Sequence, residues 1–72
     1  MDYASRIVEL RKARGLTQKQ LAFNANLSED GIKGYEIRRR KPAYDALIAL
    51  ADCFGVSMDY IAGRTDNPQV SK

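Results

Sequence analysis

"LTQKQLAFNANLSEDGIKGYE", residues 16–36, carries one signal twice. Leu16-Thr17 is followed by Leu21, and Leu27-Ser28 by Ile32: an apolar residue, a hydroxyl that can cap a helix, and an apolar residue four positions beyond the cap. This is the hydrophobic staple, and at Thr17 the glutamine three residues on, Gln20, completes a capping box. The pattern predicts helices over residues 18–25 and 28–36 with two or three residues between them. Two short helices so closely joined cannot lie comfortably antiparallel, so they cross steeply. Ala22 and Ala25 keep the crossing face small, and Asn26 takes the turn position where left-handed backbone is tolerated.

Working outward, Val56-Ser57 followed by Ile61 repeats the staple and opens a further helix. Upstream, residues 2–14 put Ile7, Leu10 and Ala13 or Arg14 at helical spacing and stop at Gly15. Between them a helix begins near Pro42 and runs to Phe54, with Tyr44, Leu47, Leu50, Ala51 and Phe54 on one face, and Gly55 ends it. No stretch alternates as a strand would. The expected fold is all-α, five helices, with the second and third in helix-turn-helix geometry; a generic helical bundle with one short turn is the alternative.

Seventy-two residues allow one small domain, near the lower size at which an apolar core folds unaided, and no sizeable ligand-binding or self-cleaving second domain is expected within them. The single cysteine, Cys53, closes no intrachain bridge, and without histidine or paired cysteines no zinc ligand set exists. Cys53 is expected to flank the fourth helix as a small side chain, and no imidazole is present to activate it, so an enzymatic reading has no support. No signal peptide or membrane-length apolar run occurs, so a soluble, cytoplasmic protein is expected, without cofactor or metal. The net charge of +3 is uneven: residues 1–41 hold ten Lys/Arg against five Asp/Glu, residues 42–72 two against four. A basic front half suits a nucleic-acid partner, though a solvated helical surface has the same composition.

The stretch from Leu10 to Gly63 resembles the Cro/repressor-type (XRE) helix-turn-helix domain of bacterial and phage transcription regulators. The matching elements are R-x-x-x-G-L-T-Q at 11–18, L-A at 21–22, S-x-x-x-I-x-x-Y-E at 28–36, R-K-P at 40–42 and L-A-x-x-F-G-V-S-x-D-Y at 50–60. The resemblance implies a five-helix, lambda-repressor-like domain over residues 1–64 with a short tail, 65–72, that binds operator DNA as a homodimer and regulates transcription, as a repressor. Departures are Asn26 at the usual turn glycine, Phe23 at a position commonly polar, and Gly31 and Gly34 where larger residues are common. Each glycine costs about 1 kcal/mol of helix propensity, so packing of Ile32 and Tyr35 must hold the third helix.

At 100° per residue, Ser28, Ile32 and Tyr35 fall on one side of that helix, and Asp30, Lys33, Gly34 and Ile37 on the other. The resemblance points to the outer set, with Glu29 at its margin, as base-reading: Glu29, Asp30, Lys33 and Gly34; the lack of a side chain at Gly34 is further expected to let the helix sit deep in the groove. It places phosphate contacts at Gln18, Lys19 and Ser28 and at the loop Arg38, Arg39, Arg40 and Lys41. It sets Arg11 opposite Glu36 as an ion pair between the first and third helices, and a dimer surface around Phe54, Val56 and Met58. The other functional class is an antitoxin-like or other protein-interaction module, binding a partner through Phe23, which helical phase turns to solvent, Ile48, Tyr60 and the tail "RTDNPQVSK".

Overall fold

A computed structural model describes residues 1–69 and contains five helices: α1 Tyr3–Ala13, α2 Gln18–Ala25, α3 Glu29–Glu36, α4 Tyr44–Phe54 and α5 Met58–Ala62. The three expected hydroxyl caps are in place. Thr17, Ser28 and Ser57 accept from the backbone N–H groups of Gln20, Gly31 and Tyr60, each at 3.0 Å. The Gln20 Oε1 atom accepts from the Thr17 N–H at 2.9 Å and closes the capping box. A fourth cap, Asp2 accepting from the Ser5 N–H, starts α1. Only α4 lacks a side-chain cap.

Every helix ends in the same way. The residue at the turn adopts left-handed backbone and the next N–H reaches back to a carbonyl of the last turn: Leu16 to Arg11, Leu27 to Ala22, Arg39 to Gly34, Val56 to Ala51 and Arg64 to Asp59. Glycine fills the turn position at 15, 55 and 63, and Asn26 fills it at φ +56°, as its short polar side chain allows. The exception is Arg38 at φ +64°, where a long side chain strains the backbone.

The core takes one fully buried side chain from each helix: Ile7, Leu21, Ile32, Leu50 and Ile61. Ala22, Ala25, Ala51, Phe54 and Val56 fill the gaps, and the small alanines let α2 approach its neighbours. The expected inward positions at the end of α1 and the start of α4 lie outside. Ala13 is exposed and Arg14, instead of burying its stem in the core, lies over the Phe54 ring and donates to the Phe54 carbonyl at the open end of α4. Tyr44 is exposed as well, because the helix begins only there and Ala46 takes the inward position of the first turn.

Residues beyond α5 dock on the domain. Arg6 is buried on α1, stacked 3.8 Å from the Tyr60 ring centre, and its Nη2 donates to Asp66 Oδ1 at 3.1 Å and to the Thr65 carbonyl at 3.4 Å. The Ser57 N–H donates to the Pro68 carbonyl. The backbone of Met1 lies so close to Gly63 that any β-carbon there would collide with the Met1 carbonyl. Residues 65–68 therefore belong physically to the folded unit, and a boundary at residue 64 cuts through contacts; residues 70–72 of the expected tail lie outside the described residues.

Candidate nucleic-acid interface

α3 owes its position to three attachments. Ile32 is buried in the core, Tyr35 packs half-buried beside it, and Glu36 is tied to α1. Arg11 donates from Nε to Glu36 Oε2 at 2.7 Å and from Nη2 to Oε1 at 3.1 Å, and its Nη1 donates to the Leu16 carbonyl at 2.8 Å. Both charges are largely shielded from solvent. Gln18 Nε2 adds a bond to Glu36 Oε1 at 3.0 Å, so α1, α2 and α3 meet at one carboxylate.

With that face held, Glu29, Asp30, Lys33 and Ile37 point to solvent, as helical phase requires. The two acids stand in the first turn, where the helix dipole favours them, while Ser28 does the capping. Each also faces a base: Glu29 lies 3.7 Å from Lys33 Nζ one turn on, and Asp30 lies 3.9 Å from both Arg39 Nη2 and Arg40 Nη2. These are loose, exposed pairs that a phosphate can displace. Asp30 thus partly neutralises the loop arginines, and Glu29 partly neutralises Lys33.

Gly34 differs from its expected role. It is buried, because the Arg40 side chain lies across it, and a β-carbon at 34 would stand 3.3 Å from Arg40 Cγ and Cδ. The Gly34 carbonyl also accepts from the N–H groups of Arg39 and Arg40. The missing side chain admits the returning loop, so Gly34 is not on the outer surface.

The expected phosphate set divides. Lys19, Arg39 and Lys41 are exposed, and Arg40 keeps its guanidinium exposed while its stem covers Gly34. Ser28 is exposed; its oxygen accepts from Gly31, which leaves the hydroxyl proton to donate elsewhere. Gln18 is committed to Glu36. Arg38 is committed to α1: its Nε donates to Asp2 Oδ2 at 2.6 Å, and its Nη2 to Asp2 Oδ1 at 3.0 Å and to Ser5 Oγ at 2.9 Å. That fork, then the Ser5 N–H, holds the Asp2 carboxyl well below the usual carboxylate range and raises Arg38. Arg38 is a structural base here, which its place in an RRRK run conceals.

Phe54 and Val56 of the expected dimer surface are core residues. Both lie on the inward side of the turn between α4 and α5. What reaches the surface is a shallow groove between these helices, lined by Ile48, Ala51, an edge of Val56 and the half-exposed Met58, with Asp52 and Asp59 at its rim. Cys53 is half-buried beside it, and burial pushes its thiol up, away from reactivity. Phe23 is 85 % exposed, over a dip formed with Leu16, Lys19, Gln20 and Asn24. Asp2, Tyr3, Ser5 and Arg6 were not anticipated. Asp2 three residues before Ser5 is a legible cap signal, and Arg6, between Tyr3 and Ile7, lies on the inner stripe of α1.

A closely joined pair of capped helices, with the second held by a shielded ion pair and offering its polar face beside a basic loop, is matched by the helix-turn-helix family model over residues 7–61. The chain belongs to the helix-turn-helix family. Its sequence is 44 % identical over 66 residues to the uncharacterized HTH-type transcriptional regulator YobD of Bacillus subtilis, covering 92 % of this chain and 59 % of YobD. It is 40 % identical over 64 residues to the immunity repressor protein of Bacillus phage phi105, covering 89 % of this chain and 44 % of that protein. This helix-turn-helix chain spans about half the length of such curated relatives. Among solved structures, the DNA-binding domain of the P22 c2 repressor superposes with a TM-score of 0.79 at 26 % identity, over 85 % of this chain and 80 % of that one. No helix among the described residues is long and apolar enough to cross a membrane.

Proposed function

We propose that this helix-turn-helix chain is a sequence-specific DNA-binding regulator of transcription, acting in the cytoplasm as a repressor by occupying a two-fold-symmetric operator as a dimer. The observation that carries the reading is the outer face of α3: Glu29, Asp30 and Lys33 are exposed on a helix fixed from behind by Ile32 and Glu36, with Arg39, Arg40 and Lys41 beside it. Carboxylates accept from the cytosine amino group and lysine donates to guanine, so Asp30 and Lys33 are suited to reading G·C pairs. Lys19, Ser28, Arg39, Arg40 and Lys41 flank them as phosphate contacts, which position the helix without reading sequence.

One such helix covers only a few base pairs, so useful specificity calls for two copies with half-sites about 34 Å apart or a multiple of that. The groove around Ile48, Ala51 and Met58 supports self-association through α4 and α5. Selection from randomised duplex DNA followed by sequencing tests the whole reading. A selected site with dyad symmetry and two chains per duplex is expected; no enrichment, or an asymmetric site with one chain bound, rejects it. The exposure of Phe23 favours a second reading, a protein-interaction module. DNA binding that appears only with a neighbouring gene's product would select it.

A further inference from the structure

We infer that Tyr3, with Asp2 and Ser5 beside it, is a positioning residue for DNA binding: the first turn of α1 holds the loop after α3 at the height where Arg39 and Arg40 meet phosphate. The inference rests on reading α3 and this loop as a DNA contact surface. The first turn of α1 grips the tripeptide Arg38–Arg40 at both ends. At one end Asp2 and Ser5 receive the Arg38 guanidinium, at 2.6 to 3.0 Å. At the other the Tyr3 hydroxyl donates to the Arg40 carbonyl at 2.9 Å. Between them Arg39 projects outward, meeting only the loose contact with Asp30.

The grip acts against strain. Arg38 sits in left-handed backbone at φ +64°, a position that favours glycine or asparagine, and its side chain is held by bonds that glycine could not make. A loop stabilised only locally would have no need of an arginine there. The grip also bears on what the loop presents: the Arg39 and Arg40 N–H groups both donate to the Gly34 carbonyl, which seats the loop backbone on α3 and leaves both guanidinium groups exposed, the Arg40 stem lying across Gly34. None of these bonds lies in the core: the Tyr3 bond reaches only the loop backbone, while the Asp2–Arg38 fork also adds charge-dependent stability.

The test uses Tyr3→Phe, which keeps the ring packed against the core and removes only the hydroxyl, in the parent and in an Arg39→Ala/Arg40→Ala background, titrated against a selected duplex. Tyr3→Phe alone is expected to weaken binding by about three- to tenfold, the worth of one hydrogen bond, with little change in Tm, and to have no further effect once both arginines are gone. Equal losses in the two backgrounds, or no loss in either, overturn the proposal. Amide exchange without DNA reads the grip by itself. Faster exchange at the Arg39 and Arg40 amides in Tyr3→Phe, with Ile32 unchanged, is expected, and unchanged loop exchange overturns it. A parent that binds no duplex overturns the DNA reading and this use of Tyr3 with it; the exchange result then tells that failure apart from failure of the grip.

Discussion

Arg11 and Glu36 face each other as a two-pronged pair, 2.7 and 3.1 Å, with side chains only 14 % and 7 % exposed. The pair joins α1 to α3 where Gln18 of α2 also bonds, so three helices share one carboxylate. Removing one partner strands the other charge in a shielded site. Arg11→Met or Glu36→Gln is expected to cost about 3 kcal/mol in urea unfolding, a large part of the stability of a small domain. The double variant is expected to lose less than the sum. If both single variants match the parent, the pair contributes nothing to the fold.

Asp2 ties stability to acid. Its carboxyl is held below the ordinary range by the Arg38 fork and then by the Ser5 N–H. A carboxyl with a lowered folded-state pKa stabilises the fold above its unfolded value, about 3.9, and that contribution is lost as pH falls below it through the folded value. Asp2→Asn keeps a capping oxygen but not the charge. Thermal melts from pH 6 down to pH 2 are expected to show a shallower acid decline in Asp2→Asn than in the parent; parallel curves would rule out the linkage.

The acids of α3 and the bases of its loop have separable effects. Asp30→Ala is expected to relax base preference at one position per half-site by about 1 to 3 kcal/mol. Arg39→Ala is expected to weaken binding to all sequences alike and lower the salt slope by about 1. Uniformly tighter binding by Asp30→Ala, with the preferred sequence unchanged, would reduce Asp30 to a screen over Arg39 and Arg40, 3.9 Å away.

Met58 and Phe54 are neighbours in sequence with opposite surroundings. Met58→Glu adds a third acid beside Asp52 and Asp59 and is expected to abolish self-association in sedimentation while leaving the melt unchanged. Phe54→Ala removes a core ring and is expected to cost about 3 to 5 kcal/mol, visible as unfolding before any change in assembly. Association that survives Met58→Glu would move the dimer contact off this groove.

Local chemistry was legible wherever the decisive partners lie within one turn. Thr17, Ser28 and Ser57 each bond an N–H three residues on, Asn26 turns the chain by its own backbone, and Phe23 faces outward by helical phase, so the sequence by itself determined five helices, the starts of three of them and the short turn between α2 and α3. Tertiary structure decided what depends on partners far along the chain. Arg38 to Arg40 read as one basic run, yet Asp2, 36 residues away, removes Arg38 from it, while Gly34 receives Arg40. Helical spacing set Phe54 on the apolar face of α4 and the staple took Val56 as its apolar residue, as their burial bears out; the resemblance alone had put both on a dimer surface. Arg6 was given no role in the sequence, and the return of Thr65 and Asp66 beside Tyr60 supplies the partners for its buried guanidinium. The reason is common to Arg38 and Arg6: a charge takes its role from whatever comes within a few ångströms of it, and hydrogen bonding and Coulomb forces act over that distance whatever the separation in sequence.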